Sequence, residues 1–371
     1  MKIIIGKDSL LDSLSKVFNI VPQKPTLPVL SNFLIKAQAG RLHISGYDMD
    51  ISITTSTECQ VDREGEITVN AKRFMGVIRE LPQGDIEIDA ENERVTIIFK
   101  NGQSSILGMP SSDYPALKES IDGISVNISG DDFREMVGKT SFSVSQDRTR
   151  LALTGILWKV ASDEMVMVAT DGHRLSLFGR KMKIETEGGT EVIVSPKTLN
   201  QAAQIISGGT EIEKIIFGDG AIFFDFGDTK IYSKLLEGPY PNFRQVIPTG
   251  NSKKVYVSKT ELDAAVRRVS VLSNTITHQV KVSISSGIME LATKNDDIGG
   301  ESRETVEIRY DGEPMTAGYN AAFLSEIIRR TETDEVLMEM ESSTTACIIK
   351  PVDMKETDEN IYLIMPLRLS E

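Results

Sequence analysis

The chain has 371 residues, of which 40% are hydrophobic and 26% charged, and its formal net charge is −13. This is the composition of an ordinary globular protein, and no apolar run approaches the roughly 20 residues of a membrane-spanning helix. The apolar start at residues 1–5 is too short for the core of a signal peptide. We therefore expect a cytoplasmic protein with no membrane partner.

Cysteine usage and charge narrow the possibilities further. Cys59 and Cys347 are the only cysteines and lie far apart, so the sequence predicts neither a disulfide framework nor a zinc site. Evenly spread negative charge argues against a nucleic-acid partner, because neutralising phosphates requires lysine and arginine. A protein that is acidic outside and basic on one inner surface escapes this objection.

The first third of the chain predicts two similar halves. The first half has a strand at 2–5, a helix at 8–18 capped by Asp8 or Ser9, and strands at 30–37, 41–47 and 51–59. The second half has a strand at 66–69, a helix at 71–81, and strands at 85–88, 94–99 and 104–109. Asn101-Gly102 predicts a tight hairpin between the last two strands.

The rest of the chain follows the same order. Helices are predicted at 131–141, 196–206, 259–272 and 321–330, with Pro196 at a first helical position. Glycine-rich turns separate predicted strands at 214–217, 221–226 and 230–236, and the last strand is predicted at 361–369. The polar segments 119–123 and 250–253 are predicted linkers.

Three markers recur at a constant offset. Polar corners end apolar runs at positions 48, 171 and 295, which are 123 and 124 residues apart. Strand-to-helix steps at positions 70, 195 and 320 are 125 residues apart, and two Tyr-Pro pairs are separated by 126. Such offsets indicate an internal repeat of domain size. We predict an α+β protein of three tandem similar domains, 1–122, 123–251 and 252–371, each made of two strand-helix-three-strand units.

The corners contain the residues that most resemble a reactive site. His173 follows Asp171 and precedes Arg174, but no serine or cysteine stands in a nucleophile motif, and a turn with a capping, packing or surface-binding histidine is the alternative to a general base. Paired carboxylates, such as Asp48 with Asp50, are compatible with a metal ion. In turns, such side chains more often bond to their own backbone.

Several stretches then identify a family. Residues 170–175 (TDGHRL), 233–243 (SKLLEGPYPNF) and 365–369 (MPLRL) occur in this order, together with KPTLP at 24–28 and SFSVS at 141–145. Over the whole chain these motifs resemble the DNA polymerase III beta subunit family of bacterial sliding clamps. The resemblance implies the DNA clamp fold, in which three domains form half of a closed ring.

The resemblance also implies function and partners. Two chains of such a family join head to tail around duplex DNA, with helices lining the hole and sheets forming the outer wall. The implied activity is that of a non-catalytic processivity factor in DNA replication without a cofactor. The implied partners are double-stranded DNA, a second copy of the chain, the polymerase III alpha subunit, the clamp loader, and other clamp-binding polymerases and repair proteins.

Three sets of site residues follow from the resemblance. The implied peptide-binding pocket consists of Arg150, Leu153, Thr170, Gly172, His173, Arg174, Leu175, Pro241, Val246, Asn320, Phe323, Met365, Pro366, Leu367 and Arg368. The implied DNA contacts are Lys24, Arg73, Arg148 and Lys197. The implied dimer interface consists of Ile106 and Leu107 on one side and Val271 and Leu272 on the other.

Three positions depart from the family pattern. Gln245 stands where an arginine is common, Thr277 where an aromatic residue can stand, and Ala346 where a serine can occur. These differences concern the fine specificity of the pocket. A three-domain hydrolase or carbohydrate-acting enzyme that uses the Asp-rich corners is the alternative function.

Overall fold

A computed structural model describes residues 1–184, 186 and 188–369. These residues form two compact units, one from Met1–Phe133 with Lys197–Leu235, the other from Arg134–Ile184, Gly189–Pro196 and the chain from Leu236 onward. The predicted domains 1–122, 123–251 and 252–371 follow the sequence repeat. Their boundaries differ from those of the two compact units, because the middle repeat contributes strands to both of these units. Ser370 and Glu371 lie outside the described residues.

The described residues contain six α-helices, all at predicted places. They are α1 (Lys7–Phe18), α2 (Ala71–Glu80), α3 (Gly130–Thr140), α4 (Pro196–Ser207), α5 (Lys259–Ser270) and α6 (Ala321–Arg330). Asn70, Ser258 and Asn320 cap α2, α5 and α6 through their side chains. The predicted cap of α1 by Asp8 or Ser9 is wrong, because the first strand runs directly into the helix and Gly6 occupies the cap. No helix among the described residues is long and apolar enough to cross a bilayer.

The strands of the first unit form one sheet. They are β1 (Lys2–Gly6), β2 (Asn32–Gln38), β3 (Arg41–Tyr47), β4 (Ile51–Glu58), β5 (Gln60–Arg63), β6 (Gly65–Asn70), β7 (Asp85–Glu91), β8 (Arg94–Phe99), β9 (Gly102–Met109), β10 (Ile124–Val126), β15 (Lys214–Gly218), β16 (Ala221–Asp225) and β17 (Thr229–Lys234). Their order is β10-β15-β16-β17-β4-β3-β2-β6-β9-β8-β7-β1-β5. The predicted β8–β9 hairpin turns at Lys100-Asn101, since Gly102 already pairs with Phe99. Strand β5 was not predicted.

The strands of the second unit form the other sheet. They are β11 (Ile156–Val160), β12 (Glu164–Thr170), β13 (Arg174–Lys181), β14 (Thr190–Val194), β18 (Lys253–Ser258), β19 (Gln279–Ser285), β20 (Ile288–Asn295), β21 (Gly300–Arg309), β22 (Met315–Asn320), β23 (Glu335–Met340), β24 (Cys347–Pro351) and β25 (Asp358–Ile364). Their order is β14-β11-β12-β13-β25-β24-β23-β18-β21-β20-β19-β22. The predicted final strand ends early, because Pro366 has no amide hydrogen for a ladder and only Leu367 bridges to Gly318.

The six predicted strand-helix-three-strand units are all present, and they are interlocked in pairs. The opening strand of each unit pairs with the three-strand group of its partner unit: β1 with β7, β6 with β2, β10 with β15, β14 with β11, β18 with β23 and β22 with β19. Each strand-helix-three-strand unit of a pair therefore needs a strand of its partner to complete its part of the sheet.

The last strands of the three-strand groups differ in how they are paired. Strand β4 pairs with β17, and β13 with β25, along most of their lengths. Strand β9 meets β6 only at Gly108 and Met109, and β21 meets β18 only at Ile308 and Arg309. Within the described residues, 102–107 and 300–307 therefore each have an unpaired edge.

The helices pack on the sheet through apolar residues that lie on one face of each helix. In the third repeat, Leu262, Ala265, Val266 and Val269 of α5 are fully buried, at the i, i+3, i+4, i+7 positions that form one face of a helix. They pack with α6 residues such as Leu324 against the strands.

A buried ion network joins α3, β13 and β25 in the second unit. The Arg180 guanidinium donates to both Asp358 carboxylate oxygens (2.8 and 2.6 Å) and to Glu135 (2.9 Å). The side chains of Arg180 and Asp358 are only 9% and 8% exposed. The hydrogen bond from Arg180 lowers the pKa of Asp358 below its ordinary value. A charge buried this deeply requires a partner.

We predict that Asp358→Asn lowers the free energy of unfolding by about 3 kcal/mol at pH 7, because Arg180 loses its main counter-ion. The pKa of Asp358 is depressed in the folded state, so its contribution is full above the unfolded pKa of about 4 and disappears as pH falls below it. Urea unfolding should therefore show a gap between variant and parent that narrows from pH 7 toward pH 3. The exposed Asp353→Asn change is the control, and an equal effect of both changes would contradict the prediction.

Candidate functional site

The corner at residues 170–174 is a turn fixed by its own side chains. The Asp171 carboxylate accepts the backbone amides of His173 (2.8 Å) and Arg174 (2.9 Å). The Thr170 hydroxyl donates to the Arg174 carbonyl (2.6 Å) and accepts the Gly172 amide (3.1 Å). Gly172 has φ +90°, and an added β-carbon there would lie 3.1 Å from Arg150 Nη1. The position therefore requires glycine.

The other two corners use the same chemistry. Asp48 accepts the backbone amides of Asp50 (3.1 Å) and Ile51 (2.8 Å), and Asn295 accepts that of Asp297 (3.2 Å). Asp48 and Asn295 therefore act as local backbone acceptors, whereas Asp50 and Asp296 pair with Lys234 and Lys294.

Arg174, beside this turn, is fixed by hydrogen bonds and by an aromatic ring. Its guanidinium donates to Asp171 (3.2 Å), to the Phe142 carbonyl (2.7 Å) and to Glu326 of α6. The Phe323 ring lies 4.3 Å from the guanidinium carbon, within cation–π range. Because Arg174 is 7% exposed and its donors are engaged internally, its main effect is to fix the wall of the neighbouring cavity.

A cavity of about 550 Å³ opens next to the turn, within the second unit. Its lining is mostly apolar and consists of Leu153, Thr170, Gly172, Arg174, Leu175, Pro241, Asn242, Phe243, Gln245, Val246, Pro248, Thr345, Ala346, Leu363 and Met365. Cavities of this kind, with a few polar groups at their margins, are typical binding sites.

The cavity exists because residues 236–248 lie across one apolar face of the sheet. That face includes Leu157, Val166, Leu175 and Leu363, and the nearly buried Phe243 packs on it. The Tyr240 hydroxyl donates to the Val168 carbonyl (3.3 Å), and burial raises its pKa. Val246 of this segment and Met365 remain substantially exposed at the cavity.

The structure brings eight of the implied pocket residues into this lining: Leu153, Thr170, Gly172, Arg174, Leu175, Pro241, Val246 and Met365. Arg150 lies at the rim over Gly172 and is paired with Asp147 (3.0 Å). His173 lies at the margin, where its carbonyl accepts the Met365 amide (2.8 Å).

The other implied pocket residues lie outside the lining. Phe323 lies behind Arg174. The side-chain oxygen Oδ1 of Asn320 caps α6 by accepting the backbone N–H groups of Ala322 (2.9 Å) and Phe323 (3.1 Å). A separate cavity is lined by Thr316, Ser343, Thr344, Pro366, Leu367, Arg368 and Leu369.

The sequence motifs missed part of the lining. Leu363 could have been found by strand alternation, since it lies two residues before Met365 on the same face. Asn242 and Phe243 stand inside one of the quoted motifs, whereas Pro248 and Thr345 carry no sequence signal. Of the three positions that depart from the family pattern, Gln245 and Ala346 line the cavity. Thr277 does not, and its carbonyl accepts a hydrogen bond from Asn320 (3.3 Å).

The four implied DNA contacts are exposed. Lys24 and Arg148 lie in loops, and Arg73 and Lys197 lie in the first turns of α2 and α4. Lys197 also forms an ion pair with Asp48.

The implied interface residues lie at the two unpaired strand edges. Ile106 and Leu107 belong to β9, and Leu107 is 69% exposed. Val271 and Leu272 directly follow α5, and Val271 is 77% exposed. An added β-carbon on Gly300, the first residue of β21, would meet Leu272 at 3.5 Å.

Comparisons with known proteins agree along the whole chain. The family models for the DNA polymerase III beta subunit match its N-terminal domain at residues 1–118, its central domain at 127–242 and its C-terminal domain at 244–368. The beta sliding clamp of Pseudomonas putida is 28% identical over 372 residues, and that of Synechococcus elongatus is 30% identical over 381 residues. Both alignments cover 100% of each chain.

Solved structures give the same answer. The DNA polymerase sliding clamp from Pseudomonas aeruginosa with ligand superimposes with a TM-score of 0.91 at 27% identity. The sliding clamp from Bartonella birtlesii bound to griselimycin gives 0.93 at 27% identity, and both matches cover 100% of each chain. Clamps of this family catalyse no reaction, so the hydrolase alternative is wrong. The chain belongs to the DNA polymerase III beta subunit family of sliding clamps, the non-catalytic processivity factors of DNA replication.

Proposed function

We propose that two copies of this chain close head to tail into a ring around duplex DNA, and that the ring tethers the polymerase III alpha subunit through the apolar cavity. The clamp loader and other clamp-binding polymerases and repair proteins are the further clients of that cavity. The observation that carries the proposal is the pair of unpaired strand edges on β9 and β21.

The repeat itself supports closure through these edges. In the middle repeat, the equivalent strands β17 and β13 are joined antiparallel to β4 and β25. Only β9 and β21 lack such a partner among the described last strands, and an open edge invites pairing with another chain. Joining β9 of one copy to β21 of the next satisfies both edges. Since the two edges are unlike, the contact is head to tail, and two such contacts close a ring of two copies.

Exposed apolar side chains beside the edges support the same contact. Leu107 stands on β9, and Val271, Ile276 and Ile298 stand near the start of β21, all largely exposed. Such groups beside an open edge are typical of a protein interface. We therefore assign Ile106 and Leu107, with Val271 and Leu272, to the dimer interface.

We predict that Ile106→Asp combined with Leu272→Asp gives monomers. Burying two unpaired carboxylates costs several kcal/mol, so the dimer dissociation constant should rise by about two orders of magnitude or more. Light scattering across a dilution series measures the change. The exposed Leu27→Asp change, away from both edges, should leave the dimer intact. A double variant that stays dimeric would show that the interface is elsewhere.

A ring holds DNA by topology, so contacts with phosphates can be few and independent of sequence. Lys24, Arg73, Arg148 and Lys197 are the proposed contacts, and their exposure supports this role. Lys197 contributes least in the free protein, because its ammonium already pairs with Asp48. The net charge of −13 makes any direct affinity for DNA weak and sensitive to salt.

We predict that changing Lys24, Arg73 and Arg148 to glutamine flattens the salt dependence of binding to a short duplex. The slope of log affinity against log salt should fall by about 0.9 for each phosphate contact removed. The matched control changes Lys36, Lys100 and Lys254, exposed lysines on or beside strands, to glutamine. Equal slopes for the two variants, or a preference for one DNA sequence, would contradict the proposal. Retention on nicked circular DNA after loading, and release when the circle is cut, tests the ring independently.

The cavity suits a short client peptide with aliphatic or aromatic anchors. Leu153, Leu175, Val246 and Met365 offer apolar surface, and each buried anchor contributes roughly 1.5–3 kcal/mol. Met365 adds adaptability, since its flexible side chain can repack around different anchors. Arg150 at the rim is the donor best placed to hold a peptide carbonyl.

We predict that Val246→Asp weakens binding of the polymerase's clamp-binding peptide at least about tenfold, because a carboxylate would face the anchors. Removing residues 365–371 should abolish binding and leave the dimer and DNA encirclement intact, since β25 ends at Ile364. Fluorescence anisotropy measures both effects, with Met354→Asp as a control for an exposed apolar residue elsewhere. Unchanged affinity in the truncated protein would disprove the assignment.

A further inference from the structure

A second cavity of about 380 Å³ lies on the same sheet face as the proposed peptide pocket. It is lined by Leu157, Lys159, Glu164, Val166, Glu191, Tyr240, Pro241, Asn242, Phe243 and Arg244. We call it the flanking groove. Pro241, Asn242 and Phe243 line both cavities, so a chain that leaves the pocket over these residues enters the groove directly.

The two cavities differ in chemistry. The pocket is mostly apolar, whereas four of the groove's lining side chains are charged: Lys159, Glu164, Glu191 and Arg244. Lys159 pairs with Glu191 (2.7 Å), and Arg244 forms a two-point bridge to Glu359 (2.6 and 2.8 Å). Both cations also lie near the Phe243 ring, at 5.5 and 5.4 Å.

Glu164 differs from the other three charged side chains of the groove lining, which form salt bridges. It opens β12, is half-buried, and forms no salt bridge with any described residue. The two cations and two carboxylates of the lining balance, and Glu359, which pairs with Arg244 from beside the groove, adds one net negative charge. The nearby Arg244 interacts with the charge of Glu164 but gives its hydrogen bonds to Glu359. A partly buried carboxylate without an ion pair of its own is a site for a charge-assisted hydrogen bond from lysine or arginine.

We propose that the flanking groove is a second subsite for the client peptide, in which Glu164 binds a lysine or arginine that flanks the anchor residues. The inference rests on the proposed peptide pocket and extends it. Two observations carry it: the groove is continuous with the pocket through the shared residues, and the Glu164 carboxylate, which forms no salt bridge among the described residues, is complementary to a basic flank. An anionic ligand such as a DNA phosphate is disfavoured by the same charge.

The test uses fluorescein-labelled peptides copied from the polymerase's clamp-binding segment, with three added residues at one end or the other. Each extension is made with neutral residues and with lysines, and affinity is measured by anisotropy on the full-length dimer. A lysine extension at one end should bind about three- to tenfold more tightly than the neutral extension, the range expected for a partly exposed charge-assisted contact. The preference should shrink at high salt.

The variant Glu164→Gln should lose this preference and keep its affinity for the neutral peptide. Asp163→Asn, which removes the same charge one residue away on the exposed side of the turn, should keep the preference. A preference that survives in Glu164→Gln, or that is equal at both ends of the peptide, would assign it to the overall negative charge and overturn the proposal. Neutral peptide that binds without any lysine preference overturns the groove alone, whereas neutral peptide that fails to bind overturns the pocket as well.

Discussion

The need to pair the backbone edges of β-strands organises this molecule. The opening strand of each strand-helix-three-strand unit pairs with the three-strand group of a partner unit. Each of the two units therefore completes the other's part of the sheet. The last strands are then joined where the chain offers a partner, as in β4 with β17 and β13 with β25. Among the described last strands of the three-strand groups, only β9 and β21 lack such a partner along most of their length. The proposed assembly follows the same rule, since an unpaired edge is satisfied most readily by another strand.

Side-chain packing on one sheet face produces the binding surface. The segment 236–248 covers most of that face, and Phe243 anchors it between two cavities of different character. Buried cations hold the framework around them: Arg174 ties the turn at 170–174 to α6, and Arg180 ties β13 to α3 and β25. Because each guanidinium is surrounded by its acceptors, these arginines stabilise the surrounding framework. In the proposed function, contact with a client therefore belongs to the residues at the rim and on the cavity floor.

Roles inferred from residue type alone changed once the contacts were known. Asn320 and Arg174, expected beside a bound peptide backbone, spend their polar atoms on the cap of α6 and on internal acceptors. Asp48 and Asp171, the residues of the enzymatic alternative, accept amides of their own turns. A carboxylate or guanidinium has the same chemistry in every context, and only its neighbours decide whether that chemistry is available to a ligand.

Local pattern by itself determined the six helices and the six repeated units, because amphipathic spacing, turn residues and a constant offset are properties of the sequence. The family came from the resemblance of several short motifs along the chain. It missed the short strand β5 and the early end of β25, where pairing with a neighbour and one proline decide the outcome. Tertiary structure alone decided that the middle repeat divides between two sheets, that β9 and β21 have open edges, and that Lys159 and Arg244 form salt bridges with Glu191 and Glu359 and not with Glu164. These features depend on residues far apart in the sequence, and no local pattern encodes which strands or charges meet.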